Sequence, residues 1–229
     1  TKKDLNKAYW TFETYAQACC SYERLQAPGF FSGMRNIIDK LYDDDPEQKA
    51  EACQRHMEFY NSEFALVGPV ILGASIAMEE EKANGADIDG QAISAIKTSL
   101  MGPLAGIGDT LRQGTLIPII GSIAIALGQA GNLFAPIFYM LATLALNWGI
   151  SHTLFMKVYD KGTAFVAEFF QGNRMEKIMT IITTMGSVTI GALAANTVKL
   201  STPLELTLGE KVLNIQADIL DSVILNLLP

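Results

Sequence analysis

Hydrophobic and polar positions divide this chain into an amphipathic first quarter and a longer part dominated by apolar runs. Between residues 4 and 20 the apolar side chains recur every three or four positions, which predicts a helix with one buried face: Leu5, Ala8, Tyr9, Phe12, Tyr15, Ala16 and Cys19. Further along, the runs 64–78, 113–156 and 178–198 contain no Asp, Glu, Lys or Arg. A membrane-spanning helix needs about 20 mostly apolar residues, so these runs predict a helical membrane protein.

The apolar runs also differ in length and in their interruptions. The run 113–156 is long enough for two helices, and the short polar and glycine-containing segment 128–132 divides it. We therefore predict spans at 115–127, 133–156 and 178–198. The run 64–78 is too short for a straight span and contains Gly68 and Pro69, which predicts a broken or re-entrant helix. Three glycines and a proline within 102–108 predict a second interruption.

Local signals place several helix ends. Asp45 followed by Pro46 predicts a helix start, Asn84-Gly85 predicts a helix end, and Asp89 predicts the next start. The fold class is therefore all-α and polytopic, with broken or re-entrant helices. We expect an amphipathic, cytoplasmic or membrane-surface region at 1–62 and a transmembrane region at 63–229. The apolar segment 219–228 is short for a span, so we expect further C-terminal spans in the natural protein.

Composition narrows the function classes. Apolar residues make up 49% of the chain and charged residues 18%, which is below the usual share in soluble domains. A net charge of −7 argues against a nucleic-acid partner, because such partners require a basic surface. Of the histidines, His152 has no His, Cys, Asp or Glu one helical turn away and His56 has only Cys53, so neither a metal nor another cofactor is predicted.

Charged residues beside the apolar segments are the first candidates for a site. Asp109 stands between two apolar segments, where an acid is functional unless it is paired or caps a helix. A capping role for a helix starting near Leu111 remains an equal alternative. Arg112 and Gln113, one turn on, are expected to reach the same cavity.

Three stretches of the chain are distinctive when taken together. They are Tyr22-Glu23-Arg24-Leu25-Gln26-Ala27-Pro28-Gly29-Phe30, then Arg55-His56-Met57-Glu58-Phe59-Tyr60-Asn61 with Glu79-Glu80-Glu81-Lys82-Ala83-Asn84-Gly85, and finally Lys97 through Gly102-Pro103-Leu104-Ala105-Gly106-Ile107-Gly108-Asp109. Together they resemble the enzyme IID component of mannose-type (mannose–fructose–sorbose) phosphotransferase systems. The resemblance runs from about residue 9 to the C-terminus. Pro28 and Thr110 depart from the family's usual pattern, and its last hydrophobic stretch is absent.

The resemblance implies a multi-pass subunit of the bacterial cytoplasmic membrane that pairs with a IIC subunit, as a trimer of IIC–IID pairs. It implies a channel for a hexose-type sugar, and phosphoryl transfer by a soluble IIAB protein, or separate IIA and IIB, rather than by this chain. Besides Asp109, Arg112 and Gln113, the side chains with the chemistry to bind sugar hydroxyls are Glu23, Arg24, Gln26, Asn61 and Glu80. Structural salt bridges and surface caps are the alternative roles for these residues.

Two other function classes remain open. One is a structural or receptor-like membrane subunit without substrate contact. The other is an intramembrane aspartyl protease, because Gly106-Ile107-Gly108-Asp109 matches the Gly-x-Gly-Asp signature of that family and Tyr159-Asp160 resembles its second motif. In that family the Tyr-Asp motif comes first and lies within a span, which argues against the protease.

Overall fold

Seven α-helices lie between Lys2 and Lys161 in a computed structural model, which describes residues 1–162, isolated positions from 164 to 192, and residues 205–208 and 211–214. The helices are α1 (Lys2–Tyr15), α2 (Ala27–Leu41), α3 (Pro46–His56), α4 (Gly68–Ala83), α5 (Gly90–Leu111), α6 (Ile117–Gln129) and α7 (Ala135–Lys161). A π-helical turn, Arg112–Leu116, joins α5 to α6. The predicted helical fold class is confirmed.

The chain forms two compact units, Thr1–Gly186 and Ser187–Pro229. The second unit contains an antiparallel pair of short strands, β1 (Glu205–Leu208) and β2 (Lys211–Asn214), which the sequence analysis did not predict. Residues 183–188 of the predicted span 178–198 are helical, and most of the rest of that span lies outside the described residues, as does 219–228. The boundary between 1–62 and 63–229 stays a prediction.

The amphipathic first helix buries most of its predicted face, but it ends at Tyr15, whose side chain is exposed. Leu5, Ala8, Tyr9 and Phe12 are buried, mainly against α2. The predicted caps are also present, because the Asp45 side chain accepts a hydrogen bond from the Gln48 amide at 3.0 Å and Asp89 accepts one from the Gln91 amide at 3.2 Å.

Helix α4 is the centre of the first unit. Residues 68–79 are all buried, which fits a helix that is apolar on every side. The predicted break inside 64–78 is absent, since Gly68 and Pro69 stand in the first turn, where proline is tolerated. Gly73 lies against α7, where an added Cβ would come within 2.8 Å of the Phe155 carbonyl oxygen. The glycine therefore allows close packing of α4 and α7 instead of interrupting α4.

The predicted interruption at 102–108 also lies elsewhere. Helix α5 continues through Gly102 and Pro103, both exposed, while Leu100, Leu104 and Ile107 are buried on the opposite side. The helical geometry changes only at Arg112–Leu116, as a π-helical turn. Such turns are rare and often stand at functional sites.

Helices α6 and α7 form a hairpin across the turn at 130–134. They coincide closely with the spans predicted at 115–127 and 133–156. One helical stretch among the described residues, Gly90–Gln129, is long and apolar enough to cross a membrane, and only 11% of its most apolar part is buried. This stretch comprises α5, the π-helical turn and α6.

A fully buried carboxylate joins the helices of the first unit. Glu79 of α4 accepts hydrogen bonds from Arg55 Nε at 2.6 Å, His56 Nε2 at 2.8 Å and the Tyr42 hydroxyl at 2.6 Å. Burial lowers the pKa of His56, so the ring is neutral and donates through Nε2–H. Burial alone would raise the pKa of Glu79, but the hydrogen bonds from His56 and Arg55 outweigh it and hold that pKa well below its usual range. The ammonium group of Lys97 in α5 donates to the Arg55 carbonyl at 2.6 Å, which adds a fourth helix.

We expect Glu79→Gln to destabilise the protein by about 3–5 kcal/mol, because it leaves the buried Arg55 guanidinium without a counter-charge. Thermal unfolding in detergent measures the loss. Glu51→Gln, on the exposed side of α3, is the matched control and should leave the unfolding temperature unchanged. Equal unfolding temperatures for Glu79→Gln and the parent would contradict a central role for this carboxylate.

Candidate functional site

The segment from Tyr60 to Val67, before α4, is held in place by the stretch around Gln26. The Gln26 amide donates to the Ser62 carbonyl and accepts from the Ser62 N–H, both at 3.0 Å, and Gln26 is only 4% exposed. Backbone hydrogen bonds between Arg24 and Tyr60 and between Gln26 and Tyr60 extend the contact. Gln26 is therefore a buried side chain that fixes the position of this segment.

The glycine-rich stretch of α5 lies on the same segment. The backbone N–H of Asn61 donates to the Met101 sulfur at 3.3 Å. The Ser62 hydroxyl donates to the Met101 carbonyl at 3.4 Å. An added Cβ at Gly108 would lie 2.5 Å from Val67 and 2.7 Å from the Cβ of Glu63. Gly108 is therefore required for the close approach of α5, and the three stretches that carry the family resemblance meet around residues 60–67.

Glu63 is the acid at the centre of this meeting point, and it is only 4% exposed. Its carboxylate accepts from the backbone amides of Ala65, Leu66 and Val67, at 3.0, 2.8 and 3.2 Å. These are free amides just ahead of α4, where a negative charge is favourable. The carboxylate is thus fixed before any ligand or partner binds.

Arg112 faces Glu63 from the π-helical turn. Its Nη1 lies 3.7 Å from Glu63 Oε1, and its guanidinium carbon lies 5.6 Å from the centre of the Phe64 ring. The Arg112 Nε is buried and has no hydrogen-bond partner among the described residues. Arg112 therefore keeps unused donor capacity beside a fixed carboxylate.

Glu13 adds a second carboxyl group to this cluster from α1. It accepts a hydrogen bond from the Ser151 hydroxyl at 3.3 Å, and the Tyr9 hydroxyl lies 3.1 Å from the same serine oxygen. Burial raises the pKa of Glu13 to about 8, against the opposing hydrogen bond from Ser151, and the charge of Glu63 adds to the rise. The protonated form of Glu13 is therefore favoured at neutral pH, and it accepts the hydrogen bond from Ser151.

The predicted site residues separate into two groups. Gln26 and Arg112 are at the cluster, whereas Asp109, Gln113, Glu23, Arg24 and Asn61 have exposed side chains. Arg24 donates to the Met57 carbonyl at 3.4 Å, and Glu80 accepts a hydrogen bond from the Tyr159 hydroxyl. Asp109 lies inside the last regular turn of α5, so the alternative in which it caps a helix starting near Leu111 is wrong.

Sequence reasoning missed Glu63 and Glu13. Glu63 had one available signal, because it is the last charged residue before the uncharged run 64–78. Glu13 had no comparable signal, since its partner Ser151 lies 138 residues away in the chain.

Comparisons with known proteins agree on one family. The family model "PTS system mannose/fructose/sorbose family IID component" matches residues 1–229. The sorbose-specific EIID component of Lacticaseibacillus casei is 34% identical over 204 residues, which are 89% of this chain and 71% of that protein. The mannose-specific EIID component of Escherichia coli K12 is 33% identical over 82% of this chain and 66% of its own length. This chain thus spans about two thirds of the length of these relatives.

Two solved structures are also similar to this chain. A cryo-EM structure of the mannose transporter ManYZ in complex with microcin E492 has a chain that is 30% identical, with a TM-score of 0.67 over 97% of this chain and 82% of that one. A second structure, described as a membrane protein, is 29% identical, with a TM-score of 0.80 over 100% of this chain and 85% of its own.

The raised pKa of Glu13 predicts a pH-dependent stability difference between the parent protein and Glu13→Gln. The folded state holds the proton more tightly than the unfolded state, so the parent loses stability as pH rises from the ordinary carboxyl pKa near 4.5 to about 8. Glutamine has no proton to lose and avoids this penalty. The unfolding temperature of Glu13→Gln should therefore rise relative to the parent between pH 5 and pH 9. Glu23→Gln, at an exposed position, is the control, and a difference for Glu13→Gln that does not vary with pH would disprove the assignment.

Proposed function

We propose a function on the premise that this chain belongs to the mannose/fructose/sorbose family of phosphotransferase-system IID components. It is the IID membrane subunit that forms, with a IIC subunit, the channel through which a hexose-type sugar enters the cell. Import is coupled to phosphorylation of the sugar by IIAB, or by separate IIA and IIB proteins.

The observation that carries this proposal is the Glu63–Arg112 pair at the meeting point of the three family stretches. A carboxylate and a guanidinium supply acceptors and donors in the paired arrangement that sugar hydroxyls require. The carboxylate is held by three backbone amides, so binding does not have to order it. This arrangement favours a substrate-contacting subunit over a purely structural or receptor-like one.

The exposed apolar surface supports a multi-pass arrangement in the bacterial cytoplasmic membrane. Many large apolar side chains of the α6–α7 hairpin are exposed in this chain by itself: Ile119, Ile123, Ile125, Leu133, Phe134, Ile137, Tyr139, Met140, Leu141, Leu146 and Trp148. A continuous apolar surface of this kind marks a membrane or protein interface. Lipid and IIC together cover it, in a trimer of IIC–IID pairs.

Phosphoryl transfer belongs to the soluble partners. His56 is fully buried against Glu79, where a phosphocarrier protein has no access to its ring. His152 Nε2 lies 2.8 Å from the Asn6 side-chain oxygen and its ring packs edge-on against Tyr9. The chain is therefore a component of a phosphotransferase complex and does not carry the phosphohistidine.

The exposed candidates have a place in this arrangement. Asp109 and Gln113 flank Arg112 on the apolar stretch Gly90–Gln129, and we assign them to the channel wall or to the contact with IIC. Arg24 is bonded to the segment from Tyr60 to Val67 through its backbone, Glu23 precedes it, and Asn61 belongs to that segment. Glu80 lies near the C-terminal end of α4. The protease alternative requires Asp109 and Asp160 to share a site, and no hydrogen bond joins them in the described part of the chain.

The test is uptake in a host that lacks its own mannose-type system. Cells that express this protein together with the IIC and IIAB proteins of the same system should take up and phosphorylate at least one sugar from a hexose panel. Omitting either this protein or IIC should abolish uptake. Uptake by IIC and IIAB alone would overturn the proposal.

Asp109→Asn tests the channel-wall assignment. Hydrogen bonds to charged groups contribute about 1.5–3 kcal/mol, so losing the charge should weaken apparent sugar affinity roughly ten- to a hundredfold. Expression and assembly with IIC should remain near those of the parent. Asp44→Asn, in the exposed turn between α2 and α3, is the control. Uptake by Asp109→Asn at the parent's affinity would remove Asp109 from the site.

A further inference from the structure

Helix α1 has a basic outer side, although the chain as a whole carries a net charge of −7. Its lysines are all exposed: Lys2, Lys3 and Lys7. Its two acids are engaged elsewhere. Asp4 is 8% exposed and forms an ion pair with Lys40 of α2. Glu13 accepts the hydrogen bond from Ser151 of α7. The positive charge on the outer side of α1 is therefore not balanced by an acid of the same helix.

Lys3, Lys7 and Trp10 stand at positions i, i+4 and i+7, so they share one side of the helix. We call these three residues the outward face of α1. The Lys7 ammonium group donates a hydrogen bond to the neutral side chain of Asn36 in α2 at 2.8 Å, a contact that leaves its charge unbalanced. The outward face thus combines two unbalanced ammonium groups with one exposed aromatic ring.

Trp10 packs against Trp148 of α7, and these are the two tryptophans of the chain. Their ring centres lie 5.1 Å apart with the planes at 81°, and the side chains remain 43% and 40% exposed. Tryptophan is enriched at the boundary between a membrane and water, because its ring is apolar and its N–H is a hydrogen-bond donor. The pair therefore favours a position at such a boundary for the contact between α1 and α7.

The surroundings of α7 change at the same level. On the N-terminal side of Trp148 the helix exposes large apolar side chains: Ile137, Met140, Leu141 and Leu146. On the C-terminal side, Ser151 and Phe155 are fully buried in the first unit. The exposed Lys157 is the first charged residue after the uncharged run 113–156. The lipid-facing part of α7 thus ends close to the point at which α1 crosses it.

We propose that the outward face of α1 binds the phosphate headgroups of anionic phospholipids. Lys3 and Lys7 bind the headgroups, and the Trp10–Trp148 pair sets the depth of α1 at the membrane surface. The proposal rests on the membrane location given under the proposed function, and it adds a specific lipid ligand. Charge complementarity selects an anionic lipid, because a lipid without net charge gains little from two ammonium groups.

The probe is the tryptophan fluorescence of the purified IIC–IID complex in vesicles of phosphatidylcholine and phosphatidylglycerol. Bromine atoms on lipid acyl chains quench nearby tryptophans. They are placed either on the phosphatidylglycerol or on an equal share of the phosphatidylcholine. A complex with Trp10→Phe and Trp148→Phe supplies the background from the tryptophans of IIC, so the difference reports on the pair alone.

The test variant combines Lys3→Gln with Lys7→Gln. Lys3→Arg with Lys7→Arg is the matched control, because it keeps both charges at the same positions. Lys49→Gln removes a positive charge from α3, where Lys49 pairs with Asp39, and controls for the change in net charge. Co-purification with IIC is measured for every variant and should equal that of the parent.

In the parent, brominated phosphatidylglycerol should quench the pair more than brominated phosphatidylcholine does. The glutamine variant should lower this preference roughly fivefold or more, since each lysine near an anionic surface contributes about that factor. The arginine variant and Lys49→Gln should retain the preference.

Three results would overturn the proposal. Equal quenching by the two lipids in the parent would show a contact with lipid of any charge. The absence of quenching by either lipid would show that IIC or another part of the IID protein covers this face. A preference that survives in the glutamine variant would remove Lys3 and Lys7 from the site. A complex that shows the preference but imports no sugar would instead refute the proposed function and leave the lipid site standing.

Discussion

The fully buried carboxylate of Glu79 is the constraint on which the first unit depends. Taking an ionised carboxylate out of water costs several kcal/mol unless its oxygens are matched by donors. Tyr42, Arg55 and His56 supply those donors from the end of α2 and from α3. The ion pair positions the Arg55 backbone, whose carbonyl then accepts the hydrogen bond from Lys97. These polar contacts join four helices at Glu79, in addition to the packing of their apolar faces.

This arrangement places the segment from Tyr60 to Val67. The chain leaves α3 at His56, which is bonded to Glu79 near the C-terminal end of α4, and enters α4 at Gly68, about 16 Å away along the helix axis. Between these ends, the Gln26 side chain bonds the backbone N–H and carbonyl of Ser62, which belong to no helix or sheet. Glu63 accepts hydrogen bonds from the free amides ahead of α4. The loop is irregular, but the backbone amides of Tyr60, Ser62, Ala65, Leu66 and Val67 all have partners. Irregular backbone near a membrane is tolerated where the protein supplies such partners. Glu63 consequently presents its carboxylate to Arg112 in a fixed position.

Features that depend on residues close together in the chain could be predicted from the sequence. The periodicity of α1 and the caps at Asp45 and Asp89 depend on neighbours within one or two turns. Both caps were confirmed, and so was the buried face of α1 up to Phe12. The interruption at 102–108 failed because burying Leu100, Leu104 and Ile107 outweighs the helix-breaking cost of an exposed proline and glycine. The site was only partly predictable. Arg112 stood at the edge of an uncharged run, but its partner Glu63 and the Ser151–Glu13 contact join segments about 50 and 138 residues apart, which no local pattern encodes.

The charges of the site bear on the kind of substrate that it accepts. The oxygens of Glu63 are occupied by three backbone amides, and Arg112 keeps unused donor capacity beside them. The two charges are balanced within this chain, because the guanidinium lies 3.7 Å from the carboxylate. On the proposed function, the hydroxyl groups of a neutral sugar therefore meet polar partners without leaving an unpaired charge buried, which would be strongly unfavourable.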